Sequence, residues 1–403
     1  VSEGRATSQG RGSGQARIRL GAVLRTGSDR TVVALYAITL LLVGFGLIMV
    51  LSSSSITSYL DDQGFFGGFW RQVTFAVIGI PLMLIAAAMP LDFWKRWAWV
   101  LLGTGLLLQA LVFTPLGIEV YGNRNWIQIG SFGAQPSEAL KLALVVWVGA
   151  VLQRKEPLLG QMRHELIPVV IPGSIIALGS VLLGRDLGTV LIMAAMVFGA
   201  MFFGGISWKT LGVTALGGAL AVVFFVVTSE NRLNRLFGHA SGNEDYSGLG
   251  WQPLHGLWAL AGGGVFGVGL GGSKAKWSWL PAADNDYIFA IIGEELGLIG
   301  ALLVVVLFIV LTVVMLRVIA RARDRFGRAV VGGILVWIVG QAFVNIGVVI
   351  GVFPVLGVPL PLISAGGTAL IACLGAIGVV ISIARDGAKY HAELDASAGR
   401  TTR

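Results

Sequence analysis

Apolar residues run along this chain in long blocks rather than in the one-face or alternating patterns of a soluble domain. The blocks fall at about 32–51, 72–89, 97–114, 137–153, 166–183, 187–204, 210–228, 286–316, 329–350 and 363–384. Most approach the ~20 apolar residues that a helix needs to cross a hydrocarbon core. The pattern predicts an all-α polytopic membrane protein with about ten transmembrane helices. Only Gly184, Arg185 and Asp186 separate the fifth block from the sixth. The eighth block exceeds one perpendicular crossing and is expected to tilt or to project beyond the bilayer. One connection, 229–285, is much longer than the others and holds many glycines with Trp251, Trp258, Trp277 and Trp279. Its apolar content argues against disorder, and it reads as a partly membrane-embedded lid. The polar ends, 1–28 and 387–403, read as disordered tails around a membrane domain at 29–386. The first block follows a basic stretch without a cleavage site and reads as an uncleaved span.

Composition agrees with this division. Of 403 residues, 55% are hydrophobic and 12% charged, about half the charged share of a soluble domain. A net charge of +8 would suggest nucleic acid in a soluble chain. Here the basic residues sit at the ends of apolar blocks, where they set orientation instead. With the N-terminus inside, Lys95, Arg96, Arg154, Lys155, Arg163, Lys209, Arg317, Arg321, Arg323, Arg325, Arg328, Arg385 and Lys389 all fall inside as well. The opposite side collects Arg71, Arg124, Arg185, Arg232, Arg235, Lys274 and Lys276. Both termini are therefore expected to be cytoplasmic and the loop 229–285 extracytoplasmic. Cys373 is the single cysteine, and the four histidines are scattered. This count excludes a disulfide framework and a thiolate metal site within the chain, and the histidines lack the spacing of a zinc motif.

Ionisable residues at membrane depth are costly and need a reason. In the segment Gln135-Pro136-Ser137-Glu138, Pro136 suits a helix start and Glu138 its first turn. Lys141, three residues on, shares the face of Glu138. Asn123-Arg124-Asn125-Trp126 lies just before. Asp186 stands in the tight turn Arg185-Asp186-Leu187-Gly188-Thr189, either as a helix cap or as a site residue. Asp286 opens the eighth block. Glu294 lies about 12 Å deeper and about 80° round the helix. A carboxylate at a membrane mouth is partly desolvated, which raises its pKa and makes it a better base. The segment from Pro354 to Thr368 carries three prolines and Ser364. Such broken backbone is tolerated at membrane depth only where it is buried or lines a cavity. The glycines at 262–272 lack the spacing and context of a nucleotide loop.

Together, in this order, the motifs resemble the SEDS family of cell-wall polymerases, which includes FtsW and RodA. The pieces are Trp126-Ile127, Gln135-Pro136-Ser137-Glu138 with Lys141, Asp186-Leu187-Gly188-Thr189 and Gly269-Leu270-Gly271. After them come Asp286-Tyr287-Ile288-Phe289-Ala290, Gly293-Glu294-Glu295-Leu296-Gly297, and Gly357-Val358-Pro359-Leu360-Pro361 with Ser364 and Gly366-Gly367. The resemblance spans nearly all the predicted helices. It implies a peptidoglycan glycosyltransferase that polymerises lipid II outside the plasma membrane, partnered by a class B penicillin-binding protein and other divisome proteins. It implies Asp286 as the catalytic acid, and it matches Lys141, Glu138 and Asp186 to positions important for activity. Ile363–Thr368 and Lys276-Trp277 look more like division-type actinobacterial members than elongation-type ones, which implies a role at the septum. The chain departs from the family at Asp284-Asn285, where His-Thr is usual. It departs also at Arg185 (usually Pro), at Ala365 (often Tyr), and at Pro253 and His255.

These residues suggest a mechanism. Asp286 takes the proton of an acceptor hydroxyl. Arg124, Lys141 and Arg232 or Arg235 hold the departing pyrophosphate. Glu138 and Asp186 orient the cations, Trp126 lines the sugar site, and Glu294 and Ser364 complete the candidate substrate contacts. A divalent cation, Mg or Mn, is a candidate cofactor without an assigned ligand set. The rival readings are a lipid II flippase, an elongation-type polymerase and a structural scaffold. The scaffold leaves the charges of Lys141 and Glu294 unexplained. A flippase needs polar residues continuing to the cytoplasmic side, and the inner halves of the blocks are mostly apolar.

Overall fold

The structure is a computed structural model and describes residues 30–120, 122–130, 132–228, 250–277 and 279–401. Arg232, Arg235 and the tail 1–28 lie outside the described residues. Among those described, nine helices are long and apolar enough to cross a membrane, and Leu187–Phe203 is a shorter apolar one. Each of the ten apolar blocks is therefore a helix. In chain order they are α1 (Arg30–Leu60), α2 (Gly67–Ala88), α3 (Leu91–Ala110), α4 (Pro136–Arg154), α5 (Met162–Leu183), α6 (Leu187–Phe203) and α7 (Trp208–Val227). A short α8 (Trp251–Gly263) lies within the long connection. Then follow α9 (Ile288–Arg321), α10 (Arg325–Val349) and α11 (Gly367–Thr401). The last helix runs on through the region expected as a disordered tail. Alanines at 388, 392, 396 and 398 give that stretch high helix propensity.

Apolarity does not distinguish the inner helices from the outer ones, but burial does. In α4, 83% of the central window is buried inside the protein, against 11% in α7. α4 and α10 form the centre, with α3, α6 and α11 packed around them. α2 and α11 approach closely through small residues, as membrane helices do. A Cβ on Gly378 would lie 2.5 Å from the Met83 carbonyl oxygen, and one on Gly79 would lie 2.6 Å from Leu374. α7 is held at its start, where Ser207 Oγ donates to buried Glu165 of α5 at 2.6 Å and Thr210 donates to the same carboxylate.

Two long helices are broken. In α5, Ile171 is extended (φ −114°, ψ 127°) before Pro172, the conformation that a following proline favours. In α9, Gly297 takes φ 66°, ψ −164°, a region open to glycine alone. The excess length of the eighth block is thus a buried entry segment, Ile288–Leu296, joined at Gly297 to the longer span. The glycines of the long connection serve this break. Val268 and Gly269 N–H groups donate to Glu294 and Glu295 carbonyls at 3.0 Å each, and Leu298 N–H donates to Gly264 O at 2.9 Å. A Cβ on Gly263 would sit 1.9 Å from Gly293 O, and one on Gly267 2.2 Å from Glu295 O. The described part of the connection is stitched to α9 along its backbone, which a free lid is not.

Between α3 and α4 the chain forms a three-stranded antiparallel sheet, β1 (Gly117–Val120), β2 (Asn123–Ile129) and β3 (Phe132–Ala134). Hydropathy does not mark it. Gly122 and Gly130 with positive φ, between short runs of β-branched and aromatic residues, are its local signal. The sheet, the α5–α6 turn and the strap 350–366 between α10 and α11 lie at one end of the bundle. Most of the arginines and lysines lie at the other end, where Lys95 pairs with Asp324 at 2.5 Å and Arg325 with Glu156 at 2.9 Å.

Candidate active site

The strap carries no regular structure, so side chains and neighbouring amides must hold it. Asn345 of α10 donates through Nδ2 to the carbonyls of Asp286, at 2.7 Å, and Val358, at 2.8 Å. One turn earlier, Gln341 Nε2 donates to Pro359 O at 2.8 Å. Ser364 Oγ donates to Asn285 O at 2.7 Å and accepts from Leu360 N–H at 2.8 Å. Ala365 N–H donates to Asp284 O at 2.9 Å, and Gln72 of α2 holds Ser364 O at 2.9 Å. The loop 284–287 is fixed from three sides, and its backbone is accounted for.

Asp286 stands on this loop, just before α9. Its Oδ2 lies against the strap at Gly357, where a Cβ would be 3.7 Å away. Its Oδ1 has no hydrogen-bond donor among the described residues. Burial pushes its pKa from 3.8 up to about 7, and the charges of Asp284 and then Asp186 push in the same direction. Burial also raises Asp284, while its own backbone hydrogen bond and the Arg71 guanidinium oppose that rise.

Asp186 is both a cap and a hub. It accepts from the Thr189 N–H at 2.9 Å and from Thr189 Oγ1 at 2.7 Å, which starts α6. It also accepts from Asn125 Nδ2 at 2.5 Å and from Gln135 Nε2 at 3.3 Å. That joins the sheet to the α5–α6 turn. Gly188 lets the turn meet the strap, since a Cβ there would lie 2.2 Å from Leu356 O. Leu356 and Gly357 therefore run between the Asp186 turn and Asp286, and the Asp186 charge reaches Asp286 across them.

Lys141 and Glu138 form the expected pair on one face of α4, at 2.9 Å, with both side chains almost fully buried. The ammonium also reaches Gln341 Oε1 at 3.3 Å and lies over the Trp337 ring at 4.8 Å. Through Gln341 it supports the strap. Arg124, on β2, gives one N–H to Thr114 O at 2.9 Å. The other donors of its guanidinium meet no hydrogen-bond partner among the described residues. Trp126 is half-buried on the same strand and pairs with Ile118. Glu294 accepts from Ser273 Oγ and from the Lys274 N–H at 2.9 Å, while Glu295 pairs with Lys276 at 3.1 Å and accepts from Ser52 of α1. The structure thus brings Asp286, Asp186, Glu138, Lys141 and Ser364 around one strap, sets Arg124 against the α5–α6 turn at Gly184, and places Glu294 at the neighbouring loop 273–276. Sequence reading passed over Gln341, Asn345, Arg71 and Gln72. The first two had a signal, polar residues four apart in an apolar block, which share a helix face. Arg71 and Gln72 had none, because only tertiary contact brings the start of α2 to the strap.

The chain is a polytopic helical membrane protein with a desolvated carboxylate at one end of its bundle. Within that class, it belongs to the FtsW/RodA/SpoVE family of cell cycle proteins, whose model matches residues 33–389. It is 36% identical to a probable peptidoglycan glycosyltransferase FtsW of Mycobacterium tuberculosis over 93% of this chain and 71% of that one. It is also 36% identical to the stage V sporulation protein E of Bacillus subtilis, over 87% of this chain and 96% of the relative. Its fold matches a chain in a peptidoglycan synthase complex that coordinates polymerization and crosslinking, with TM-score 0.71, 25% identity and coverage of 87% and 97%. It also matches the fold of the rod shape determining protein RodA of Thermus thermophilus, with TM-score 0.65, 24% identity and coverage of 87% and 96%.

Proposed function

We propose that the chain is a peptidoglycan glycosyltransferase that polymerises lipid II at the outer face of the plasma membrane, for septal wall synthesis, beside a class B penicillin-binding protein. One observation carries the chemistry: Asp286, a carboxylate at the membrane mouth whose pKa is raised to about 7. Its Oδ1 is buried and has no hydrogen-bond donor among the described residues. A general base works best near the operating pH. Asp286 takes the proton of the acceptor's 4-hydroxyl as that oxygen attacks the donor's anomeric carbon. The polyprenyl pyrophosphate leaves with the bonding electrons. An α-linked donor giving a β-linked product needs one inversion and no covalent enzyme intermediate.

Arg124 faces the leaving pyrophosphate with its uncommitted N–H donors, and Trp126 lines the sugar beside it. Lys141 is a positioning residue. Its charge is matched by Glu138, and it acts on the strap through Gln341. Asp186 keeps the sheet in register with the strap and holds the Asp286 pKa high. The residues present fit a divalent cation only as one held mainly by the pyrophosphate's own oxygens, since no cluster of three candidate ligands occurs among the described residues. Magnesium in phosphate chemistry is commonly bound that way.

The test is a polymerisation assay in detergent with purified protein, with and without the transpeptidase partner. Wild type should give glycan polymer and Asp286→Ala none. Full polymer from Asp286→Ala would overturn the catalytic assignment. No polymer from wild type alongside lipid II scrambling in vesicles would favour the flippase.

A further inference from the structure

Beside the catalytic loop stands an ordered stack of aromatic rings with no part in the chemistry above. Trp251 and His255 lie one turn apart on α8, with centroids 3.9 Å apart and planes 29° apart. The Trp279 ring lies beside this pair in a near-parallel plane, 6.0 Å from His255 at 20° and 6.2 Å from Trp251 at 13°. Trp258 meets His255 edge-on at 4.9 Å. The stack is pinned by polar contacts. Trp251 Nε1 donates to Trp279 O at 2.9 Å, and Gln252 Nε2 donates to Pro281 O at 3.0 Å. His255 Nδ1 lies 2.8 Å from Trp251 O. A carbonyl oxygen can only accept, so Nδ1 carries a proton.

The stack is continuous with the active site. A Cβ on Gly256, next to His255, would lie 2.6 Å from the Tyr287 ring, and Tyr287 follows Asp286. Asn285 and Tyr287 N–H groups both donate to Ala282 O, at 3.1 Å. Trp279 and Asp286 thus stand at the two ends of one short, internally bonded loop. Trp279 is 56% exposed although its orientation is fixed.

We propose that this stack is a platform for the growing glycan strand, with a hexosamine ring lying on the Trp279 face beside the acceptor position. The inference rests on the polymerase reading. A pyranose ring offers an apolar C–H face bounded by polar groups, and it suits a flat aromatic with hydrogen-bonding groups at its edge. Gln252, its Nε2 held by Pro281 O, is the polar group beside the rings, and His255 is buried behind them. A lipid tail would need a broad apolar groove without such groups. Holding the ring plane in advance also lowers the ordering cost of binding. A polymer held beside the base stays in reach for the next addition, so the platform favours long products.

The test uses full-length protein in detergent, with lipid II as substrate and product length read at matched lipid II consumption. Trp279→Ala is expected to shorten the mean strand by about threefold or more, given the usual worth of an aromatic contact. Trp279→Leu keeps the apolar bulk without the flat ring and should shorten it equally, while Trp279→Tyr should restore length. Trp277→Ala, exposed but outside the stack, should leave length unchanged. Wild-type strand length in both Trp279→Ala and Trp279→Leu would overturn the platform. So would shortening that occurs only in vesicles, which would mark a membrane contact, or only with the transpeptidase, which would mark a partner contact. Failure of wild type to make polymer would instead overturn the polymerase reading.

Discussion

Asp286 carries opposed demands at the residue scale. For Asp286 as the proposed base, a pKa raised to about 7 predicts that polymerisation rises about tenfold per pH unit below ~7 and levels off above. Asp284→Asn removes the larger of the two neighbouring negative charges. The acid limb of a pH–rate profile should then move to lower pH, and an unmoved limb would count against that coupling. The same shift works against the fold. Relative to an ordinary 3.8, the folded state favours the protonated form. The associated stability is complete below about pH 4 and is lost as pH rises toward ~7. Asp286→Asn should therefore unfold at a higher temperature than wild type at pH 8 while making no polymer. Asp286 and Asp186 were legible in the sequence because charges at membrane edges demand a reason. The role of Lys141 was only half legible. Spacing gave its pairing with Glu138, but its burial beneath Trp337 and Gln341 depends on α10, which sequence distance hides.

At the scale of elements, ten apolar blocks became ten helices because block length alone fixes a span. The sheet escaped because hydropathy carries almost no signal for short strands. The broken α9 escaped because its cause, Gly297, lies inside a continuous apolar block. Its partners, the glycines near 265, read as part of a partly embedded lid, and Gly263 and Gly267 are close-packed backbone. Gly263→Ala is expected to abolish folded expression or lower thermal stability sharply, since its Cβ would overlap the Gly293 carbonyl. Gly262→Ala next to it meets nothing and should be neutral. The buried pair of Lys276 and Glu295 gives a second check. Removing one partner of such a pair costs about 3–5 kcal/mol. Lys276→Met should thus lower Tm clearly, and the double change with Glu295→Gln should recover part of the loss.

Across the whole molecule, the basic end and the site end divide the loops as alternate crossings require. A membrane-impermeant thiol reagent can read the orientation, because the native Cys373 is buried. Asp62→Cys, in the exposed turn at the site end, should label in intact cells, and Lys155→Cys only after permeabilisation. The reverse pattern would overturn the outward-facing site. The α9 seam has a practical consequence for following this protein in living cells. A fluorescent or epitope insertion at the glycine-rich stretch, which looks permissive on paper, would unpair the amides that close the broken helix. The exposed turn at Asp61–Gly64 bonds only to itself and to the adjoining helix ends, and there a tag can be carried without disturbing the bundle.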